Sequence, residues 1–152
     1  MSNLLTDVEI RKVLNYTAAS QGTTDATIVD MAGYDEVTFI CALGAVVNNG
    51  VVTFRIGQAD TNDTSDMVVS TATSGAITSD GTTIALSNKC LILTVTKPKY
   101  RYLEAQVVKA TQDTTIDSVI AILSKPSASK GRPTVQGATV YSSAIHASPV
   151  AA

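Results

Sequence analysis

The chain has no tryptophan, one histidine and two cysteines, and only 16% of its 152 residues are charged, against roughly 25% in typical soluble domains. Each shortage excludes something. The single histidine, His146, lies in a Ser- and Ala-rich stretch, where an imidazole lacks the rigid setting and the partner that acid–base or nucleophilic catalysis requires. Cys41 and Cys90 have no CxxC spacing, and no His/Cys cluster has the spacing of a zinc site. Both sit in apolar runs, so both are expected as small core residues; whether they are bridged is left open by the sequence. No G-x-S-x-G elbow is present, and the nine glycines are scattered singly at turns rather than gathered into a phosphate loop. The expectation is therefore no enzyme, no cofactor and no metal.

Long apolar runs are also missing. None approaches the ~18 residues of a membrane span, and the N-terminal MSNLLTDVEIRK has neither a basic leader nor an apolar core. The sequons at Asn15 and Asn62 are accordingly expected to stay unmodified. Asp60, Asp63 and Asp66, spaced by three, are the nearest approach to a hard-cation site. The EF-hand pattern fails there: Ser65 occupies the position of the turn glycine and Thr71 that of the bidentate glutamate. A solvated turn is expected instead.

What the chain does have is β-branched residues, with threonine throughout and 45% hydrophobic residues overall. Branching at Cβ suits a pleated strand better than a helix. In YDEVTFICALG, Val37, Phe39, Cys41 and Leu43 alternate against Thr38, Ile40 and Ala42; after AVVNNG, Val52, Phe54 and Ile56 alternate against Val51, Thr53 and Arg55. With Asn48, Asn49 and Gly50 tolerating positive φ between them, the two runs predict a hairpin. Asp80-Gly81 predicts a second. KCLILTV (89–95) is apolar on both faces and reads as an inner strand. YRYLEAQVVKA places Leu103, Ala105 and Val107 on one face and Tyr102, Glu104 and Gln106 on the other, and TIDSVIAILSK reads as a strand although its apolar spacing also fits a helix. TAASQGTTD (17–25) reads as a polar turn region. About eight short strands with frequent turn signals give an all-β antiparallel sandwich or barrel over residues 17–125. Residues 1–16 are expected as an arm or short helix, and residues 126–152, rich in Ser, Ala, Gly and Pro, as an extended C-terminal arm.

Charge divides the chain unevenly. All thirteen acidic residues precede position 125, which leaves the body at −5 and the segment from Lys125, with Lys130 and Arg132, at +3. Three charges fall short of a nucleic-acid signature, but such a tail favours acidic protein surfaces. One cationic-aromatic cluster stands out, KPKYRY (97–102). If extended, it would put Lys97, Lys99 and Arg101 on one side and Tyr100 and Tyr102 on the other, which separates stacking from charge and disfavours a nucleic-acid site. It reads first as a strand entry with lysines guarding an edge, then as a protein contact, because Tyr and Arg are frequent interface anchors.

DMAGYDEVTFI (30–40), LGAVVNNGVVTFRIGQADT, KYRYLEAQVV and DSVIAIL, in that order, resemble small structural proteins of tailed bacteriophages. The resemblance covers about residues 15–124. It implies a jelly-roll-like β-sandwich with no catalytic role. Such a protein is made in the host cytoplasm and sits on the outer surface of the virion head, as a capsid cement or decoration protein joining major capsid protein subunits. A homodimer is expected, with a trimer as the alternative, and neither nucleic acid nor membrane as a partner. The C-terminal arm lies beyond the resemblance. There Val135, Val140, Tyr141 and Ile145 are the expected anchors, able to add to a neighbour's sheet edge. With Tyr100, Arg101 and Tyr102 they form the predicted partner-binding set. The alternative reading is a receptor- or carbohydrate-binding module of a phage tail or fibre, which the low aromatic content of 5% disfavours.

Overall fold

The structure is a computed structural model and describes residues 7–128, 136 and 138–140. Eight antiparallel strands make one continuous, curled sheet: β1 (Glu9–Leu14), β2 (Thr17–Asp25), β3 (Val29–Asp30), β4 (Tyr34–Val46), β5 (Val51–Ala59), β6 (Val68–Thr78), β7 (Cys90–Thr96) and β8 (Tyr102–Pro126). The fold is the all-β antiparallel sandwich expected from the strand pattern.

The curl follows from β8. Its first part pairs with β5 through Tyr102–Ala110, and its second part pairs with β4 through Thr114–Pro126. Between the two, Thr111 adopts φ +68°, a left-handed conformation that a β-branched residue takes only where surrounding structure imposes it. One layer is thus β6–β5–β8, the other β7–β4–β8, and the apolar faces of both meet. Val37, Phe39 and Cys41 from β4, Val52, Phe54 and Ile56 from β5, and Ala105, Val107, Val119 and Ala121 from β8 are fully buried together. On the far side of β8, β3 and β2 continue the first layer and β1 the second.

Several expectations are corrected. β4 and β5 do not form a hairpin: each pairs with β8, which lies between them in strand order. The turn itself is present, with Asn49 at φ +67° and the Gly50 N–H donating to Val47 O at 2.8 Å. Its role is to pass the chain from one layer to the other. Gly50 is needed for close approach, since a Cβ there would lie 2.8 Å from that same carbonyl oxygen. Nor does Asp80-Gly81 make a hairpin, because β6 pairs with β5 and β7 with β4. Instead the Asp80 carboxylate accepts from Thr82 N–H and Ile84 N–H, each at 2.8 Å, a side-chain-organised loop. The Thr82 bond, first among its contacts, holds this carboxyl below its ordinary range.

Residues 9–14 are a sheet strand rather than an arm or helix. Glu9 fixes it, accepting from Tyr34 Oη and from Arg11 Nε at 2.7 Å each. Burial, then the Glu9 contact, pushes the Tyr34 phenol pKa well up. Residues 17–25 also form a strand, β2. Its side chains are polar because most of them face solvent, while its backbone pairs with β8. Lys109, buried on β8, ties the two by donating to Ser20 Oγ at 2.6 Å; desolvation lowers its pKa.

β7 is not an inner strand. Among the described strands it pairs only with β4, turning Leu91, Leu93 and Val95 inward and Cys90, Ile92 and Thr94 outward. Cys41 and Cys90 are both free, Cys41 buried and Cys90 exposed, so Cys90 is not a core residue. Burial raises the Cys41 thiol to about 12. A thiol reagent at neutral pH is expected to label one cysteine per native chain, at Cys90, and the second only on unfolding. Two rapidly labelled thiols in the native protein would contradict the orientation of β4.

Candidate interaction surface

Three surface regions carry chemistry. The first is the 97–101 loop between β7 and β8. It is not extended, so the alternation expected for its cations and tyrosines does not apply; β8 begins only at Tyr102. Lys97 takes φ +48° and donates its N–H to Asp35 O at 2.6 Å. Arg101 is committed within the chain: Nε and Nη2 each donate to one oxygen of Asp30 at 2.8 Å. This forked geometry is the guanidinium's best fit to a carboxylate. Lys99 lies 5.3 Å from the Tyr100 ring centre and Arg101 5.2 Å from that of Tyr102, within cation–π range. The loop places Tyr100 and Arg101, but not Tyr102, on a shallow cavity of about 380 Å³ whose lining includes Met31, Tyr34 and Asp35. Lysines 97 and 99 remain exposed at its rim.

The Arg101 contact, foremost, holds the Asp30 carboxyl below its usual range, and Lys125 does the same for Glu36 across a 2.6 Å pair. Both folded pKa values are depressed. Their stabilisation is thus complete above the unfolded carboxylate range and is lost as pH falls through the folded values. Asp30→Asn is expected to lower stability at neutral pH and to flatten its decline below about pH 4. Urea unfolding midpoints measured against pH check this; an unchanged acid limb would contradict it.

The second region is the open side of the sandwich. β6 and β7 each have one unpaired edge among the described strands, and these edges flank a groove of about 310 Å³ whose lining mixes apolar residues such as Ile56, Val69, Val95 and Leu103 with polar ones such as Gln58, Thr71, Lys97 and Lys99. Outside it, Val68 and Ile92 are 65% and 59% exposed. KCLILTV was misread because an edge strand with an apolar outer face carries the same sequence pattern as an inner strand.

The third is a polar groove of about 590 Å³ at the β1–β2 bend, lined by Lys12, Asn15, Thr17, Asp25 and Thr27 around Tyr16, which is 65% exposed.

The outer face of β8, opposite Leu103, Ala105 and Val107, holds a buried polar chain. Glu104 is fully buried; Thr64 Oγ1 donates to its Oε2 at 2.6 Å and Gln106 Nε2 to its Oε1 at 3.0 Å, while Arg55 Nε donates to Gln106 Oε1 at 3.0 Å. The segment after β5 covers this face. It includes a single 3-10 turn at Thr64–Asp66, capped by Asp63, whose Oδ1 accepts from Ser65 N–H at 2.9 Å. Gly57 permits the cover, since a Cβ would come 3.1 Å from Met67 Cβ. Asp63 and Asp66 thus serve the turn, and among the described residues no group of three His, Cys, Asp or Glu is placed to hold a metal ion.

Of the predicted tail anchors, Val135, Tyr141 and Ile145 lie outside the described residues, and Val140 is half-buried. Two residues the sequence reading passed over, Gln136 and Thr139, dock on β1: Gln136 bonds the backbone of Val8 and Ile10, and Thr139 that of Lys12. No protein-family model matches this chain, and no characterised protein has a similar sequence at a significant level.

Proposed function

We propose that this protein is a non-enzymatic structural module that binds protein surfaces, and specifically a cement protein on the outside of a phage head, joining major capsid protein subunits. The observation that carries the contact role is the open side of the sandwich, where the edges of β6 and β7, unpaired among the described strands, flank a groove of mixed apolar and polar lining, and Val68 and Ile92 on those same strands are exposed. Unpaired edges with apolar flanks are surfaces that proteins normally blunt unless a partner covers them. The assignment to phage heads rests on the sequence resemblance over residues 15–124. Repetition over a shell turns modest contacts into lasting attachment.

The test is co-sedimentation with expanded heads stripped of this protein, beside unexpanded precursor shells. Saturable binding at a fixed ratio to the major capsid subunit, preferring expanded heads and weakened by Ile92→Asp, is expected. Absence of binding to either shell would reject the cement role. A second reading, a carbohydrate-binding module, is favoured by Tyr16 standing exposed among Asn15, Asp25 and Thr27 in the polar groove; sugar binding that Tyr16→Ala abolishes would select it.

A further inference from the structure

Among the described strands β1 pairs with β8 alone, and its other edge faces away from that pairing. In an antiparallel ladder, groups on alternate residues point to that outer side. Among them here are the carbonyl of Val8 and the N–H groups of Ile10 and Lys12, and these three are taken by side chains from far along the chain. Gln136 Oε1 accepts from Ile10 N–H at 2.9 Å, and Gln136 Nε2 donates to Val8 O at 3.0 Å. Thr139 Oγ1 accepts from Lys12 N–H at 2.9 Å. A carboxamide offers the same donor and acceptor as a peptide group, so Gln136 stands in for one residue of a pairing strand.

We infer that Gln136 and Thr139 form an exchangeable clasp, and that in the assembled protein the β1 edge of one copy is occupied by the Gln136 and Thr139 of a second copy. The contacts are the same whether made within a chain or between chains, so little energy separates the two arrangements, and effective concentration decides between them. The three described bonds of the clasp are exposed or half-buried, which exposes them to local opening. The connection is long enough to be shared. Glu9 of β1 is opposite Leu123 near the end of β8, about two strand spacings or ~10 Å from the outer edge. Ala128 and Gln136 are eight residues apart, a reach of up to about 27 Å. The +3 tail and −5 body attract equally well between sister copies.

This inference concerns the purified protein alone, so it fails or stands independently of shell binding. In a Cys90→Ser background, Lys12→Cys and Thr139→Cys place two thiols across the clasp. Oxidation at rising protein concentration is expected to give a covalent dimer whose share grows with concentration on a non-reducing gel. A disulfide confined to single chains at every concentration would overturn the exchange, and no disulfide at all would overturn the clasp itself. Sedimentation velocity of the unmodified chain is expected to show self-association that Gln136→Ala with Thr139→Ala weakens about tenfold or more. A chain that stays monomeric, or association unaffected by the double substitution, would also overturn it.

Discussion

Phe54→Ala is expected to destabilise the fold by about 3–5 kcal/mol, the largest loss from any single truncation considered for this chain. Phe54 is fully buried on β5, opposite Val107 of β8, and belongs to the one core that both layers share. Removing the ring deletes its transfer free energy and also leaves a cavity that cannot readily close. The strand carrying it is held on both sides, by β6 and by β8, so backbone collapse into the gap is opposed. The proper comparison is Ile92→Ala on β7, where the side chain points to solvent; its cost is expected within about 0.5 kcal/mol. Urea unfolding followed by circular dichroism measures both, with the slope unchanged if only native-state packing is affected. Equal losses at the two positions would contradict the assignment of inner and outer faces.

The second large effect is expected at the buried polar chain. Thr64→Val removes the donor to Glu104 Oε2 and leaves a buried carboxyl oxygen without that partner, a loss of about 1–3 kcal/mol. Glu104→Gln is expected to cost a similar amount although its shape is nearly conserved. Both carboxyl oxygens accept hydrogen bonds, from Thr64 and from Gln106; an amide nitrogen turned toward Gln106 meets its donor Nε2, and one turned toward Thr64 forces the hydroxyl to reverse and accept. Turning Gln106 over to relieve that clash breaks its bond from Arg55. In the Glu104→Gln background, Thr64→Val should cost less than half of what it costs alone, because the two residues form one unit. Strict additivity would show that the bond does not hold the 60–67 segment on the sheet.

Strand identity was largely legible from alternation. The inward sets Val37-Phe39-Cys41-Leu43 and Val52-Phe54-Ile56 follow directly from period-two patterning, and all are buried. Polar strands were not legible. TAASQGTTD contains turn residues and buries little, yet its backbone pairs along β8, and a ladder of main-chain hydrogen bonds leaves no trace in side-chain hydropathy. The N-terminal LLTDVEIRK was ambiguous for a related reason: the partner that makes Glu9–Leu14 a strand lies more than a hundred residues away.

Candidate contact residues divided along the same line. Tyr100, Arg101 and Tyr102 stand out in the sequence as a cationic-aromatic cluster; the structure puts Tyr100 and Arg101 on one cavity, and Arg101 is committed to Asp30, a residue 71 positions earlier. Gln136 and Thr139 gave no signal, since nothing marks a polar side chain in a Ser- and Ala-rich stretch as the partner of a distant backbone edge. Alternation separates Glu104 and Gln106 from the apolar face of β8 but does not say what covers them. It has no knowledge of a loop folding over that face.

By itself the sequence determined the secondary-structure class and the buried faces of β4 and β5, because period-two alternation is written into consecutive side chains. Tertiary structure alone decided which strands pair. It made the Asn49-Gly50 turn a crossing between layers rather than a hairpin, made β7 an edge, and brought Gln136 to the outer side of β1. The physical reason is that pairing satisfies backbone groups common to every residue, so its specificity comes from register, twist and the bend of β8 at Thr111. Those are properties of the assembled sheet, and no single segment carries them.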